Sequence, residues 1–211
     1  MCGRFSLTEA LEDLKEYYQF NMRDDFDVYP HINLAPSNQV AAIVSVEGKR
    51  YPAYFRWGLI PPFAKDEKIG YKTFNARAET VSEKPSFRRA FRSKRCLIPA
   101  SSFYEWKKTE EGNKQPYEIK LVSGDPLTFA GLWESWRNEQ NDLIRSCTII
   151  TTEPNSAMSQ IHDRMPVILS PDQFDRWLNH DGDVEELNYL LSPFTGELKI
   201  SKISGERFKR K

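Results

Sequence analysis

Apolar and polar positions along this chain follow the two-residue period of a strand over most of its length, and the helical period in only a few short stretches. The first helical stretch sets Leu11, Leu14, Tyr17 and Tyr18 on one face, with Thr8 placed to cap it. Two β-rich runs follow, Gln39 to Val46 and Arg50 to Trp57, flanking Glu47-Gly48-Lys49, and this pattern predicts a hairpin. Pro30 to Pro36 reads as loop. So does the stretch from Ile60-Pro61-Pro62 to Asn75-Ala76-Arg77; connections of that length in compact domains tend to be functional. Ser86 to Ser93 predicts a short basic helix. Further strands are expected at Cys96–Ile98, Phe103–Lys108, Tyr117–Val122, Leu127–Ser135, Arg145–Thr152 and Val167–Leu169, with turns around Gly112 and Gly124. Short amphipathic helices at Pro171–Leu178 and Val184–Leu191 precede a last strand from Leu198.

Strands without regularly alternating helices argue against a doubly wound parallel sheet. The expected fold is α+β: one domain over residues 1–200 around a mostly antiparallel, barrel-like sheet with short flanking helices. A basic, flexible tail is expected at 201–211. No run approaches the roughly 20 apolar residues that span a bilayer, and the polar turn after Phe5 excludes the apolar segment of a signal peptide. A cytoplasmic monomer is expected, with no membrane partner.

Lys plus Arg and Asp plus Glu number 30 each, so net charge does not point to nucleic acid. Local charge does more. Lys84 to Arg95 reads KPSFRRAFRSKR, six cations without an acid. It is either a solvated helix face or a phosphate-contacting patch interleaved with Phe87 and Phe91.

The three cysteines, Cys2, Cys96 and Cys147, are odd in number and widely spaced, which favours neither a disulfide framework nor zinc, and no metal or nucleotide cofactor is indicated. Cys96 and Cys147 sit in apolar runs, as buried thiols do. Cys2 sits at a chain end. Methionine aminopeptidases remove an initiator that precedes a small residue. An N-terminal Cys2 then carries a free amine, ordinarily titrating near 7.7–8.0, beside a thiol near 8.5. An aldehyde meeting that pair forms an imine and then captures the thiol as a five-membered thiazolidine. An internal cysteine has its nitrogen locked in an amide.

Other segments concentrate chemistry. Thr73 to Thr80 combines Asn75, Arg77 and Glu79 in an irregular stretch. In Phe103-Tyr104-Glu105-Trp106 a carboxylate lies between aromatics, where desolvation raises its pKa toward acid–base use; strand alternation allows equally that Glu105 faces solvent. Ile161-His162-Asp163-Arg164-Met165-Pro166 holds one of three histidines, and His31 and His180 lie in polar loop contexts.

Taken in order, Met1-Cys2-Gly3-Arg4-Phe5, Asn33-Leu34-Ala35-Pro36, Trp57-Gly58-Leu59-Ile60-Pro61, Asn75 to Thr80, Arg95 to Pro99, Phe103 to Trp106, Phe129 to Glu134 and His162 to Pro166 closely resemble the SRAP family of SOS-response-associated peptidase-like proteins. Ser101-Ser102 departs from the family's more usual glycine-containing turn. The resemblance implies an enzyme that binds single-stranded DNA and crosslinks to abasic sites through the mature Cys2, shielding the lesion. It implies that Asn75 orients Cys2 and that Glu105 and His162 flank the reacting sugar, one as acid and one as base. Arg4, Arg77 and Arg164, with Arg88 and Arg89 of the basic run, are candidate phosphate contacts. Pro36 and Trp57 are candidates for meeting bases, although Trp57 reads equally as core. Two rivals stand beside this reading: a peptidase or amidohydrolase using Cys2 as nucleophile, with removal of its own Met1 among its possible activities, and a non-catalytic single-strand binder.

Overall fold

The structure is a computed structural model that describes residues 2–22, 25–180 and 183–208. Its elements run β1 (Phe5–Leu7), α1 (Leu11–Tyr18), β2 (His31–Leu34), β3 (Gln39–Val46), β4 (Lys49–Trp57), β5 (Asn75–Arg77), α2 (Arg88–Ser93), β6 (Arg95–Ala100), β7 (Ser102–Lys108), β8 (Lys114–Leu121), β9 (Leu127–Arg137), β10 (Leu143–Thr152), β11 (Met165–Pro166), α3 (Phe174–Leu178), α4 (Val184–Tyr189) and β12 (Leu198–Lys202). No helix among the described residues is long and apolar enough to cross a membrane.

Five strands close on themselves. β3 pairs antiparallel with β4 and β6, β9 pairs antiparallel with β6 and β10, and β10 returns to β4 in parallel at Ser146↔Arg56 and Cys147↔Trp57. The result is a small mixed barrel, whose β4–β10 and β3–β6 seams are each closed by two residue pairs. A second, wholly antiparallel sheet runs β12-β8-β7-β1-β2. The two meet through aromatic rings. Phe5 of β1 lies edge-on to Trp57 of β4 (5.1 Å between centroids) and to Phe129 of β9 (5.8 Å), while Phe103 of β7 also meets Phe129 (6.0 Å). Such pairs contribute about 0.5–1.5 kcal/mol each beyond the area they bury.

The β3–β4 turn follows from its residues. Glu47 and Gly48 both have positive φ, 51° and 75°, the twist a two-residue hairpin requires. Beyond Trp57 the chain leaves the barrel and comes back to the same edge: β10 pairs with Trp57 at Cys147 and with Asn75 at Ile149. The excursion between them is fastened throughout. Ile60 N–H donates to Ser146 Oγ (2.8 Å), Trp136 Nε1 to Ala64 O (2.8 Å) and Thr73 Oγ1 to Leu59 O (2.6 Å). Gly58, at φ 132°, backs onto Gly70 so closely that a Cβ there would sit 2.5 Å from the Gly70 carbonyl oxygen.

Several expectations need correction. Thr8 does not cap α1; its N–H and hydroxyl bond to Ser101 Oγ (2.7 and 2.9 Å), and the extended residue before the helix is Ala10. Pro30 to Pro36 is not all loop, because His31–Leu34 pairs with β1. In the 165–169 stretch regular pairing falls at Met165–Pro166, while Val167 bonds once to β9 and once to β10 and Leu169 N–H donates to Thr128 O of β9. Phe87 and Phe91 point into the core, so the basic run carries no aromatic interleaving at its surface. The domain boundary at 200 falls inside β12, and Gly205–Phe208 forms a 3-10 turn packed on the sheet; residues 209–211 of the expected tail lie outside the described residues. Ser101-Ser102 makes its turn without positive φ and is tied to β1 by Ser6 Oγ···Ser102 Oγ at 2.7 Å, so no glycine is needed there.

The last cation of the basic run, Arg95, is wholly buried. Its guanidinium donates to the carbonyls of Phe91 (2.5 Å), Trp177 (2.6 Å) and Asn179, joining the ends of α2 and α3 to β6. Desolvation pushes its pKa down to about 10, which still leaves it charged at neutrality. Arg95→Met keeps the stem but strands those carbonyls. Each buried unsatisfied group costs about 1–3 kcal/mol, so urea denaturation should show a loss of roughly 3 kcal/mol or more.

Candidate active site around Cys2

Four segments far apart in sequence converge beside the first described residue. The β1–β7 ladder pairs Phe5 with Phe103 and continues with Tyr104 N–H donating to Arg4 O (2.9 Å), which carries Cys2 past the position of Glu105. Asn75, delivered by β5, donates from Nδ2 to the Cys2 carbonyl (2.8 Å). Its Oδ1 is buried with no hydrogen-bond partner among the described residues. Trp57 sets this geometry from below, its Nε1 donating to the carbonyl of Phe74 (2.8 Å), the residue before Asn75. His162, in the connection from β10 to β11, places Nε2 3.9 Å from Glu105 Oε2. That is too long for a hydrogen bond. The two groups are therefore close neighbours without a direct hydrogen bond between them.

Burial dominates the electrostatics. Cys2 is fully buried; desolvation raises its thiol pKa far above the ordinary range, and the Glu105 carboxylate adds to the shift. Desolvation also raises the pKa of Glu105, with His162 pulling the other way. The alternative that Glu105 faces solvent is thus overturned. Two contacts compete for His162 Nδ1. Arg164 N–H donates to it (3.0 Å), which needs the lone pair, and Asp163 Oδ1 lies 2.8 Å away, which needs a proton. The amide is fixed by the backbone, whereas Asp163 is exposed. The Arg164 amide thus assigns Nδ1 the acceptor role, which leaves Nε2 as the donor nitrogen of the ring.

The remaining candidates separate. Arg4 donates to Asn33 Oδ1 (2.7 Å) beside Cys2, Pro36 is half-buried in the turn after β2, and Arg77 is exposed next to Asn75. Arg88 and Arg89 are exposed on α2, with Arg89 Nε 3.7 Å from the buried carboxylate of Glu134. Trp57 has no exposed surface, so of its two readings the structure selects core. Arg164 is not available to phosphate: it forks onto Glu79 (2.5 and 3.0 Å) and donates to Thr151 O (2.6 Å). Sequence reasoning missed this pairing, because 85 residues separate the partners. It also missed Phe63 and Tyr71, exposed by 61% and 59% on the excursion between Trp57 and Asn75. Large exposed aromatics on a fastened loop are the signal that would have found them.

Comparison with known proteins places these features in a family. The model of the family described as SOS response associated peptidase (SRAP) matches residues 1–207. The chain is 49% identical over 202 residues to the "Abasic site processing protein YoqW" of Bacillus subtilis, covering 93% of this chain and 89% of that protein. It is 32% identical to the "Abasic site processing protein HMCES" of Xenopus tropicalis, covering 85% of this chain and 66% of that one. A crystal structure of a Bacteroides thetaiotaomicron protein superposes with a TM-score of 0.87 at 29% identity, over 100% of this chain and 95% of that one.

The Arg164 fork makes a prediction. Hydrogen bonding to Arg164 holds the Glu79 pKa below its usual range, so the stabilisation is present above the unfolded carboxylate pKa and is lost as pH falls through the lowered folded one. Thermal melts of Arg164→Gln should show a destabilised protein at neutral pH, with the deficit shrinking in acid. The half-exposed Glu79 limits the pair itself, and the larger part of the loss comes from the buried guanidinium's other bond. A deficit that stayed constant down to the acid limit would assign the loss to packing alone.

Proposed function

Because the chain belongs to the SOS response associated peptidase (SRAP) family, we propose that it processes abasic sites in single-stranded DNA by forming a covalent thiazolidine through Cys2 once Met1 has been removed. The observation that carries this reading is the convergence of Cys2, Asn75, Glu105 and His162 from four separate segments.

The raised thiol pKa orders the steps. A thiol held neutral is a poor first nucleophile, so the amine of the processed Cys2 attacks first. The abasic deoxyribose is mostly a closed hemiacetal, and opening it requires a proton on the ring oxygen. Glu105, whose burial favours the protonated form, supplies that proton. The amine adds to the freed aldehyde, water leaves, and the resulting iminium is captured by the thiol, whose proton passes to a neighbouring base. Aldehyde, amine and thiol give thiazolidine and one water. Asn75 fixes the Cys2 backbone, and its unpartnered Oδ1 is an acceptor suited to the α-amine. His162, with Nε2 3.9 Å from Glu105 Oε2, holds the sugar oxygen or returns a proton.

DNA contact falls to groups that are exposed. Arg77 lies beside Asn75, Arg88 and Arg89 project from α2, and Arg4 lies beside Cys2. Phe63 and Tyr71 offer stacking surfaces of the kind unpaired bases use, with Pro36 as a smaller apolar contact.

Denaturing gels of the processed protein with an abasic single-stranded oligonucleotide test the reading. Wild type should give a heat-stable adduct, and Cys2→Ala, which keeps the amine, should lose it. A heat-stable adduct from Cys2→Ala without added reductant would sink the mechanism, as would full activity in protein that retains Met1. Glu105→Gln should slow single-turnover adduct formation by at least ~10²-fold without weakening DNA binding. Wild-type rate should fall as pH rises through the raised Glu105 pKa, and that limb should vanish in the variant.

Charge reversal at Arg88 and Arg89 is a separate test. If α2 contacts phosphates, affinity for intact single strands should drop and the slope of affinity against salt should flatten. An unchanged slope returns α2 to a solvated face.

A further inference from the structure

The residues after β12 fold back onto the sheet that presents Glu105. Ile203 N–H donates to Pro116 O (3.1 Å), and its carbonyl accepts from Gln115 Nε2 (2.8 Å). The following 3-10 turn brings the Phe208 ring against Tyr104 (4.9 Å between centroids) and Trp106 (5.0 Å). Those two residues flank Glu105 in sequence. Strand alternation puts them on one face of β7, with Phe103 and Glu105 on the other, and the Phe103–Phe129 contact identifies the latter as the face toward the barrel. Phe208 thus backs the stretch of strand from which Glu105 projects.

Arg207 adds a polar branch to the same contact. Its Nη1 donates to the Tyr104 hydroxyl (3.1 Å) and to Glu118 Oε1 (3.2 Å). The Tyr104 hydroxyl donates onward to Ile32 O of β2 (3.1 Å). Glu118 accepts from Ser102 Oγ (3.1 Å), which shares a hydrogen bond with Ser6 Oγ of β1 (2.7 Å). Both branches end on the strands that frame Cys2: Ser6 lies on β1 itself, and Ile32 precedes Asn33, the partner of Arg4.

We propose that Arg207 and Phe208 are positioning residues, a latch that holds β7 and β1 in register so that Glu105 and Cys2 keep their separation. The proposal rests on the crosslinking reading above. A misplacement of about 1 Å can cost on the order of 10²-fold in rate, so loosening the latch is expected to slow chemistry before it unfolds the protein.

The test compares Phe208→Ala, Phe208→Tyr, Arg207→Gln and Arg207→Lys with wild type, all as full chains with Met1 removed. Single-turnover adduct formation on an abasic single-stranded oligonucleotide is followed across pH, beside affinity for the intact oligonucleotide, Tm and hydrogen exchange of β1 and β7 amides. Phe208→Ala and Arg207→Gln should react roughly 10-fold more slowly or worse, at temperatures where they remain folded. Their intact-DNA affinity should match wild type, and the pH limb of Glu105 should move toward the ordinary carboxylate range as water reaches it. Phe208→Tyr should restore the rate and the limb. Exchange at Tyr104, Glu105 and Phe5 should rise in the slow variants. Wild-type rates and pH profiles in Phe208→Ala and Arg207→Gln overturn the latch, as does a rate loss that only follows the unfolded fraction. If wild type itself forms no adduct, the crosslinking reading falls. The latch is then judged on exchange alone, and unchanged protection overturns it.

Discussion

The contact on which the rest depends is the insertion of the Phe5 ring between Trp57 and Phe129. It is the point where the open sheet grips the barrel, and it lies three residues from Cys2. A short strand near a chain end would ordinarily fray. Here one large ring, buried on both sides, pins β1, and the ladder to β7 then carries Cys2 past Glu105. Trp57 serves the site twice, as the partner of Phe5 and as the donor that fixes Phe74 ahead of Asn75. The reactive residue is located by packing, and its neighbours are located from the same hub.

That placement sets the chemistry. Desolvation biases both the fully buried thiol and the buried carboxylate toward the protonated state, and the carboxylate's charge adds to the shift of the thiol. Such a pair is unsuited to thiolate attack. It suits the proposed sequence, in which a proton is given first and the thiol adds last. His162, oriented by the Arg164 amide, and Arg164, anchored by Glu79 and Thr151, extend the same logic outward: each group near the reaction is aimed by one that takes no part in it.

Much of this was legible in the chain. The β3–β4 hairpin and the long runs that became β9 and β10 carry strong alternation and unambiguous turn residues, and the barrel rests on them. Cys2 stood out because a terminal cysteine has chemistry an internal one lacks. What failed did so for identifiable reasons. β2 and β5 have three or four residues each, too few to show a period, and exist because β1 and β10 offer them partners. Phe87 and Phe91 are four apart, so one helix face takes both inward while the cations between them stay outside. Arg164 looked like a free cation because its acid, Glu79, is brought to it only by tertiary folding. The segment after residue 200 looked like a tail because its one aromatic, Phe208, finds Tyr104 and Trp106 a hundred residues back.

The pairing of β1 with β7 also has a meaning in time. During synthesis the N-terminal strand emerges first, yet the strand that receives it spans Ser102–Lys108. At translation rates of about 5–20 residues per second, the two are separated by roughly 5–20 seconds. Throughout that interval Phe5 has no cavity to enter, because Phe129, one of the two rings that hold it, is made later still. Chain order thus makes β1 a strand that must wait for its partner, and the sheet around Cys2 closes only after the middle of the chain has been made.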